Sequence, residues 1–95
     1  MLISESSIIY KSDEILEANL EDSLALMSIE QGSYYGLNPV GKEIWENIDD
    51  PIQVEKLVDL LLEKFSVDRI NCQKDTLDFL NKLLDRDIVK IENSI

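Results

Sequence analysis

The hydrophobic pattern of this chain changes period at Asn38-Pro39, and that change fixes the broad fold class. Ahead of it apolar residues alternate: Leu24, Leu26 and Ser28 oppose Ala25, Met27 and Ile29, the period-2 repeat of a strand with two distinct faces. Beyond it they recur every three or four residues, the spacing of one face of a helix. Three strands are predicted before the switch, Ile15 to Leu20, Leu24 to Ile29 and Ser33 to Leu37. The linkers Glu21-Asp22-Ser23 and Glu30-Gln31-Gly32 are so short that neighbouring strands must run antiparallel. Ile8 to Tyr10 reads as a further short strand.

Asparagine is a good N-cap, and proline suits the first helical position because its missing N–H would be unpaired there anyway. A first helix is therefore expected from Pro39 to Ile48, with Val40, Ile44, Trp45 and Ile48 on one face. Asp50-Pro51 repeats the signal, and a second helix is expected from there to Phe65, with Val54, Leu57, Val58, Leu61 and Phe65 inward and Leu60 and Leu62 widening the apolar arc. After a break at Ser66 to Arg69, a third helix from Ile70 to Arg86 presents Leu77, Leu80, Leu83 and Leu84, with Phe79 at the edge of the stripe. Ile88, Val89 and Ile91 read as a short strand or extended tail. Helix, break, helix, strand is the order of a winged helix-turn-helix. The predicted class is α+β: a winged helix-turn-helix with an N-terminal three-stranded antiparallel sheet and three helices, in one domain spanning residues 1–95.

Charge and residue inventory then narrow the function. Twenty acidic residues against nine basic ones give a formal charge of -11, which repels phosphate backbones and anionic membrane surfaces. The excess is concentrated in residues 1–50, where eleven acids face only Lys11 and Lys42. Over residues 68–87, where a recognition helix would sit, Arg69, Lys74, Lys82 and Arg86 meet Asp68, Asp75, Asp78, Asp85 and Asp87, so no nucleic-acid partner is expected. The chain has no histidine and one cysteine, Cys72, which excludes an internal disulfide, a Cys/His zinc site and nucleophile-base sets built on histidine. Cys72 reads as a small buried apolar residue. Asp85, Asp87 and Glu92 lack the spacing of a calcium loop. No catalytic residue, metal site or cofactor is predicted. Residues 1–10 lack the basic start of a secretory signal, and no run approaches the roughly 18 to 20 apolar residues of a membrane span, so a cytoplasmic protein without a membrane partner is expected.

The stretch Met27-Ser28-Ile29-Glu30-Gln31-Gly32-Ser33-Tyr34-Tyr35-Gly36-Leu37-Asn38-Pro39-Val40-Gly41-Lys42-Glu43-Ile44-Trp45-Glu46 resembles the PqqD family, the leader-peptide recognition domains of ribosomally made, modified peptides. The pattern is a strand ending in Tyr-Tyr-Gly-Leu-Asn, a helix with Gly at its third position and an Ile-Trp pair, then acidic-apolar helices. It is most similar to the discrete recognition proteins of lasso-peptide clusters. Asp50 and Asp87 stand where the family often has Gly at turns, and Asp tolerates such positions.

The resemblance implies a non-enzymatic adaptor. It binds the leader of a precursor peptide as an added strand along Ser33, Tyr34, Tyr35, Gly36 and Leu37, with leader side chains in a groove against the third helix, and presents the precursor to a leader peptidase and a cyclase. Strand addition takes affinity from main-chain groups and selectivity from alternate side chains. On the third helix Lys74, Leu77, Asp78 and Asn81 recur at spacings of three, one and three on a strip beside the apolar stripe, and they are the groove residues expected from spacing. Trp45 reads as core; Tyr35 reads as core ahead of groove wall, and Tyr34, on the opposite face, as a peptide contact ahead of a plain surface aromatic. Two other roles fit the same features: a small winged-helix regulator acting through protein contacts, and the PqqD role in pyrroloquinoline quinone biosynthesis.

Overall fold

A computed structural model describes residues 3–92, and in it the expected meander is present. Strands β1 (Ile8–Lys11), β2 (Ile15–Asn19), β3 (Leu24–Ser28) and β4 (Ser33–Leu37) precede helix α1 (Pro39–Glu46). Strand β5 (Ile52–Gln53), helices α2 (Val54–Lys64) and α3 (Arg69–Asp85), and strand β6 (Val89–Glu92) follow. The fold is α+β, and its strands form two three-stranded antiparallel sheets: β2-β3-β4, and a second one ordered β5-β1-β6.

The meander is made by local signals. Leu24, Leu26 and Ser28 are buried while Ala25 and Met27 between them are half-exposed, as the alternation requires. The β3–β4 turn closes through Gly32, whose φ of 65° is one that glycine adopts without penalty, and whose N–H donates to the Ser28 carbonyl at 2.7 Å. The outer strands of the turn regions end one residue early, at Asn19 and Ser28 rather than Leu20 and Ile29, because the Leu20 N–H is taken by the Ser23 carbonyl in the β2–β3 turn and that of Ile29 by the carbonyl of Glu14.

Ile8 to Tyr10 forms the further strand expected, β1, which lies between β5 and β6 and pairs Ile9 with Ile52 and Ile91. Two expectations are corrected. The second helix begins at Val54 and not at Pro51, because Ile52 and Gln53 are drawn into pairing with β1. Its first N–H groups then bond to backbone carbonyls from far away in sequence, Val54 to Ser7 at 3.0 Å and Glu55 to Glu5 at 3.0 Å, in place of a side-chain cap. Helix α1 stops at Glu46, and Val40 lies outside the apolar face that Ile44, Trp45 and later Ile48 bury.

Helix α3 shows how its end is set. Asp68 caps its start by accepting from the Asn71 N–H, and the same hydrogen bond, with one from the Asn71 amide, holds the Asp68 carboxyl below its ordinary pKa. At the other end the Ile88 N–H bonds to Leu83 O at 2.9 Å and the Asp87 N–H to Leu84 O at 3.0 Å, the double bond pattern of a Schellman cap. Asp87 occupies its left-handed position with φ 58°, where glycine is the usual choice. Ser12 and Gln31 donate to its carbonyl and carboxylate, tying this turn to both sheets.

Two apolar clusters fill the interior. One collects Ile9, Ile48, Val54, Leu57, Val58, Leu61 and Leu80 between the second sheet and α2–α3; the other collects Leu24, Leu26, Leu37, Trp45, Leu83 and Ile88 behind the meander. Phe79 and Leu84 pack against both and join them. Lys11 links the sheet to α1, its ammonium 4.4 Å from the Trp45 ring centre and 2.5 Å from Asp49.

Candidate functional site

β4 is an edge strand: β3 lies on one side, and the alternate N–H and C=O groups on the other side have no strand partner among the described residues. Its length and position follow from Asn38, whose side-chain Oδ1 accepts from the Gly41 N–H at 2.8 Å and so ends the strand by starting α1. Side chains alternate across it. Ser33, Tyr35 and Leu37 face inward and Tyr34 and Gly36 outward.

Beside this edge runs a groove of about 520 Å³ between β4 and α3, with the start of α1 and the end of α2 closing its floor. Its wall on the strand side is Tyr35, Gly36 and Leu37. Its floor is apolar, from Ile44, Leu61, Phe65 and Phe79, with Cys72 and Thr76 buried at the helix wall. Tyr35 is fixed on both sides: its ring meets Phe79 edge-on with centroids 6.2 Å apart, and the Arg86 guanidinium lies 5.1 Å from its centre. Gly41 permits this packing, since a β-carbon there would stand 3.3 Å from the Phe79 ring.

The helix wall carries charge at both ends. Asp75 and Lys82 both line the groove, seven residues or roughly 10 Å apart along α3, while the strand wall has no charged side chain. Asn71, held by Asp68, stands at the Asp75 end.

The strip predicted from spacing lies elsewhere. Lys74, Leu77 and Asp78 line a separate depression with Arg69, Ile70 and Gln73, and the Asn81 side-chain Oδ1 accepts from the Ile3 N–H at 3.0 Å. These residues are not brought to β4. The apolar stripe of α3 has two flanks, and the one turned to the meander is that of Asn71, Cys72, Asp75, Thr76, Phe79 and Lys82. Cys72 and Phe79, seven residues apart on one flank, were the sequence signal for it. Ser33, Tyr34, Tyr35, Gly36 and Leu37 do share one edge, and the Ser33 hydroxyl is buried without a hydrogen-bond partner among the described residues.

Among the described residues no group of three or more Cys, Asp or Glu side chains is placed to hold a metal ion, and no helix is long and apolar enough to cross a membrane.

The likeness to known proteins agrees with this geometry. The family model for coenzyme PQQ synthesis protein D, PqqD, matches residues 23–89, a segment that contains the meander edge, the groove and α3. The structure of TbiB1 in complex with the TbiA(beta) leader peptide is similar with a TM-score of 0.77 and 30% identity, covering 90% of this chain and 98% of that one. A lasso peptide synthetase B1 complexed with the leader peptide shares the fold with a TM-score of 0.75, at 18% identity over 92% of this chain and 99% of that one. No curated protein matches the sequence.

Proposed function

The chain belongs to the PqqD family, and on that premise we propose that it binds the leader segment of a ribosomally made precursor peptide and presents it to modifying enzymes. The observation that carries this reading is the coincidence of an unpaired strand edge, Ser33–Leu37, with an apolar groove along the same strand. A leader added beyond β4 satisfies the open backbone groups, and its alternate side chains enter the groove against Phe79 and Tyr35. The likeness to TbiB1, a leader-peptide complex, supports the same mode, and the fold shared with a lasso peptide synthetase B1 favours lasso-peptide biosynthesis, with a leader peptidase and a cyclase as the enzymes served. The chain breaks and makes no bond in this scheme. It is a cytoplasmic adaptor of one domain.

Backbone pairing is common to every extended peptide, so selectivity lies in the groove. Its apolar floor suits aromatic or aliphatic leader residues, and Lys82 and Asp75 favour an acid at one end and a base at the other. Titration calorimetry with the leader of its cognate precursor tests the reading. Phe79→Ala is expected to weaken binding about tenfold, roughly 1.4 kcal/mol, through lost apolar contact. Gly36→Pro, which interferes with an edge strand, is expected to abolish it in a variant whose circular dichroism is unchanged. Leu77→Ala, in the other depression, is expected to have no effect. Full affinity for the Phe79 and Gly36 variants would place the peptide elsewhere.

A role in pyrroloquinoline quinone biosynthesis uses the same edge and groove, and the description of the matching family model favours it as a second reading. Binding to that pathway's precursor and not to a lasso leader would select it.

A further inference from the structure

Among the described residues, two other than glycine have positive φ, Glu14 at 61° and Asp87 at 58°. That conformation presses the β-carbon of an L-residue against its own backbone, a clash glycine avoids. Such a residue persists only where its surroundings hold it, so its contacts are informative. Both sets of contacts converge on one turn. The Glu14 carbonyl accepts from the Ile29 N–H at 3.2 Å, and the Asp87 carboxylate accepts from the Gln31 side-chain amide at 2.6 Å. Residues 29–32 are the turn that leads from β3 into the open edge strand β4.

Asp87 is one half of a two-point clamp. Its neighbour Arg86 lies 5.1 Å from the ring centre of Tyr35, on the strand wall of the groove, while Asp87 holds Gln31 just ahead of Ser33. Both residues belong to the cap of α3, the helix whose Phe79 and Lys82 form the opposite wall. The Asp87 carbonyl also accepts from the Ser12 hydroxyl, just past β1 in the other sheet. One end of the groove is therefore fixed across its width, on a base anchored to the closing sheet.

The bond between Gln31 and Asp87 does little for folding. Both side chains are exposed, so it is exchanged against hydrogen bonds to water, and the left-handed backbone at Asp87 opposes it. Its effect falls on β4. A hairpin strand with one free side opens locally, and a peptide that adds to it must first order it. A turn already held to α3 keeps Ser33–Leu37 at a set distance from Phe79 before the peptide arrives.

We propose that Asp87 is a positioning residue for the leader edge: through Gln31 its carboxylate holds the β3–β4 turn to the end of α3 and so sets the width of the groove. The ligand in this proposal rests on the leader-binding reading; the clamp itself does not.

The test runs calorimetric titration of the cognate leader beside urea unfolding and amide hydrogen exchange of the free full chain. Asp87→Gly is expected to weaken leader binding roughly three- to tenfold, the cost of ordering the turn on binding. Its unfolding midpoint is expected to stay at or above that of the wild type, while amide exchange over residues 31–36 quickens. A merely structural role would move affinity and stability down together. Asp87→Asn tolerates the left-handed backbone and keeps an oxygen for Gln31, so its leader affinity is expected within twofold of wild type. Gln31→Ala is expected to match Asp87→Gly, and combining the two to add no further loss. Leader affinity within twofold of wild type in Asp87→Gly would overturn the proposal, as would a lowered midpoint in that variant, an Asn variant as weak as the Gly one, or losses that add in the double variant. Unchanged exchange at 31–36 would overturn the clamp directly. A wild type that binds no leader, with exchange at the turn still quickened by Asp87→Gly, would keep the clamp and sink the leader reading instead.

Discussion

The two sheets of this small protein have three antiparallel strands each, yet they are built and used in opposite ways. The β5-β1-β6 sheet joins segments from the start, middle and end of the chain, with Ile9 at its centre fully buried and packed on α2 and α3. The β2-β3-β4 sheet is one continuous meander whose pairings all lie between sequence neighbours. Among the described residues both its edges lack a strand partner, and one whole face is exposed. The first sheet closes the chain on itself, and the second offers backbone groups and apolar side chains to others. Long-range closure supplies the rigidity that lets the local sheet keep an open edge, which isolated hairpins do not sustain in water.

Substitution in the first sheet should break this division most clearly. Ile9→Ala is expected to cost about 2–5 kcal/mol in urea unfolding, because it empties a site at the centre of the larger cluster. Leu16→Ala on the meander's open face is expected to stay within about 0.5 kcal/mol of wild type. Equal losses for the two would show that the meander carries as much of the stability as the closing sheet.

Gly41→Ala sharpens the boundary between the two regions. The added methyl meets the Phe79 ring, which lines the groove, at 3.3 Å. Leader affinity is expected to fall several-fold, while stability changes by under about 1 kcal/mol because alanine also favours the helix. A smaller effect is expected at the turn that links the sheets. Asp87→Gly removes the left-handed strain at φ 58°, and a gain of roughly 0.5–1 kcal/mol in the urea midpoint is expected, reduced by loss of the exposed hydrogen bond from Gln31.

The smallest effect is a pH dependence outside both sheets. The hydrogen bond from Lys64 at 2.8 Å holds the Glu43 carboxyl below its ordinary value, so between that lowered value and the unfolded one folding releases a proton there. Its contribution is present above the unfolded carboxylate pKa and disappears on acidification. Glu43→Gln should therefore narrow the stability difference between pH 7 and pH 3 slightly, and a wider difference would contradict the pairing.

The same contrast explains what was legible in the sequence. The meander was readable because its determinants are local: alternation in Leu24 to Ile29, a glycine in the second turn, and Asn38-Pro39 as a stop and start. The second sheet was not, because Ile52 and Gln53 make a strand only through Ile8 and Ile9, and Asp50-Pro51 carries a strong local signal for a helix. Its start was decided by the carbonyls of Ser7 and Glu5, which no local pattern names. For the site, Ser33–Leu37 share one strand edge, and the α3 residues expected from spacing lie on the flank turned away from it. Periodicity identifies the stripe of Leu80 and Leu83, but which flank meets the sheet depends on how the helix docks. Lys74 and Asp75 are neighbours in sequence and stand at two different depressions.

Backbone amide shift mapping of the labelled chain, titrated with the leader peptide of its own precursor, tests the central claim most directly. The expected result is a continuous set of perturbations along Ser33–Leu37 and on Asn71, Asp75, Phe79 and Lys82, with Lys74, Leu77 and Asp78 unmoved. Perturbations confined to the Lys74–Leu77–Asp78 depression, or to α1 around Lys42 to Asn47 with β4 silent, would contradict it.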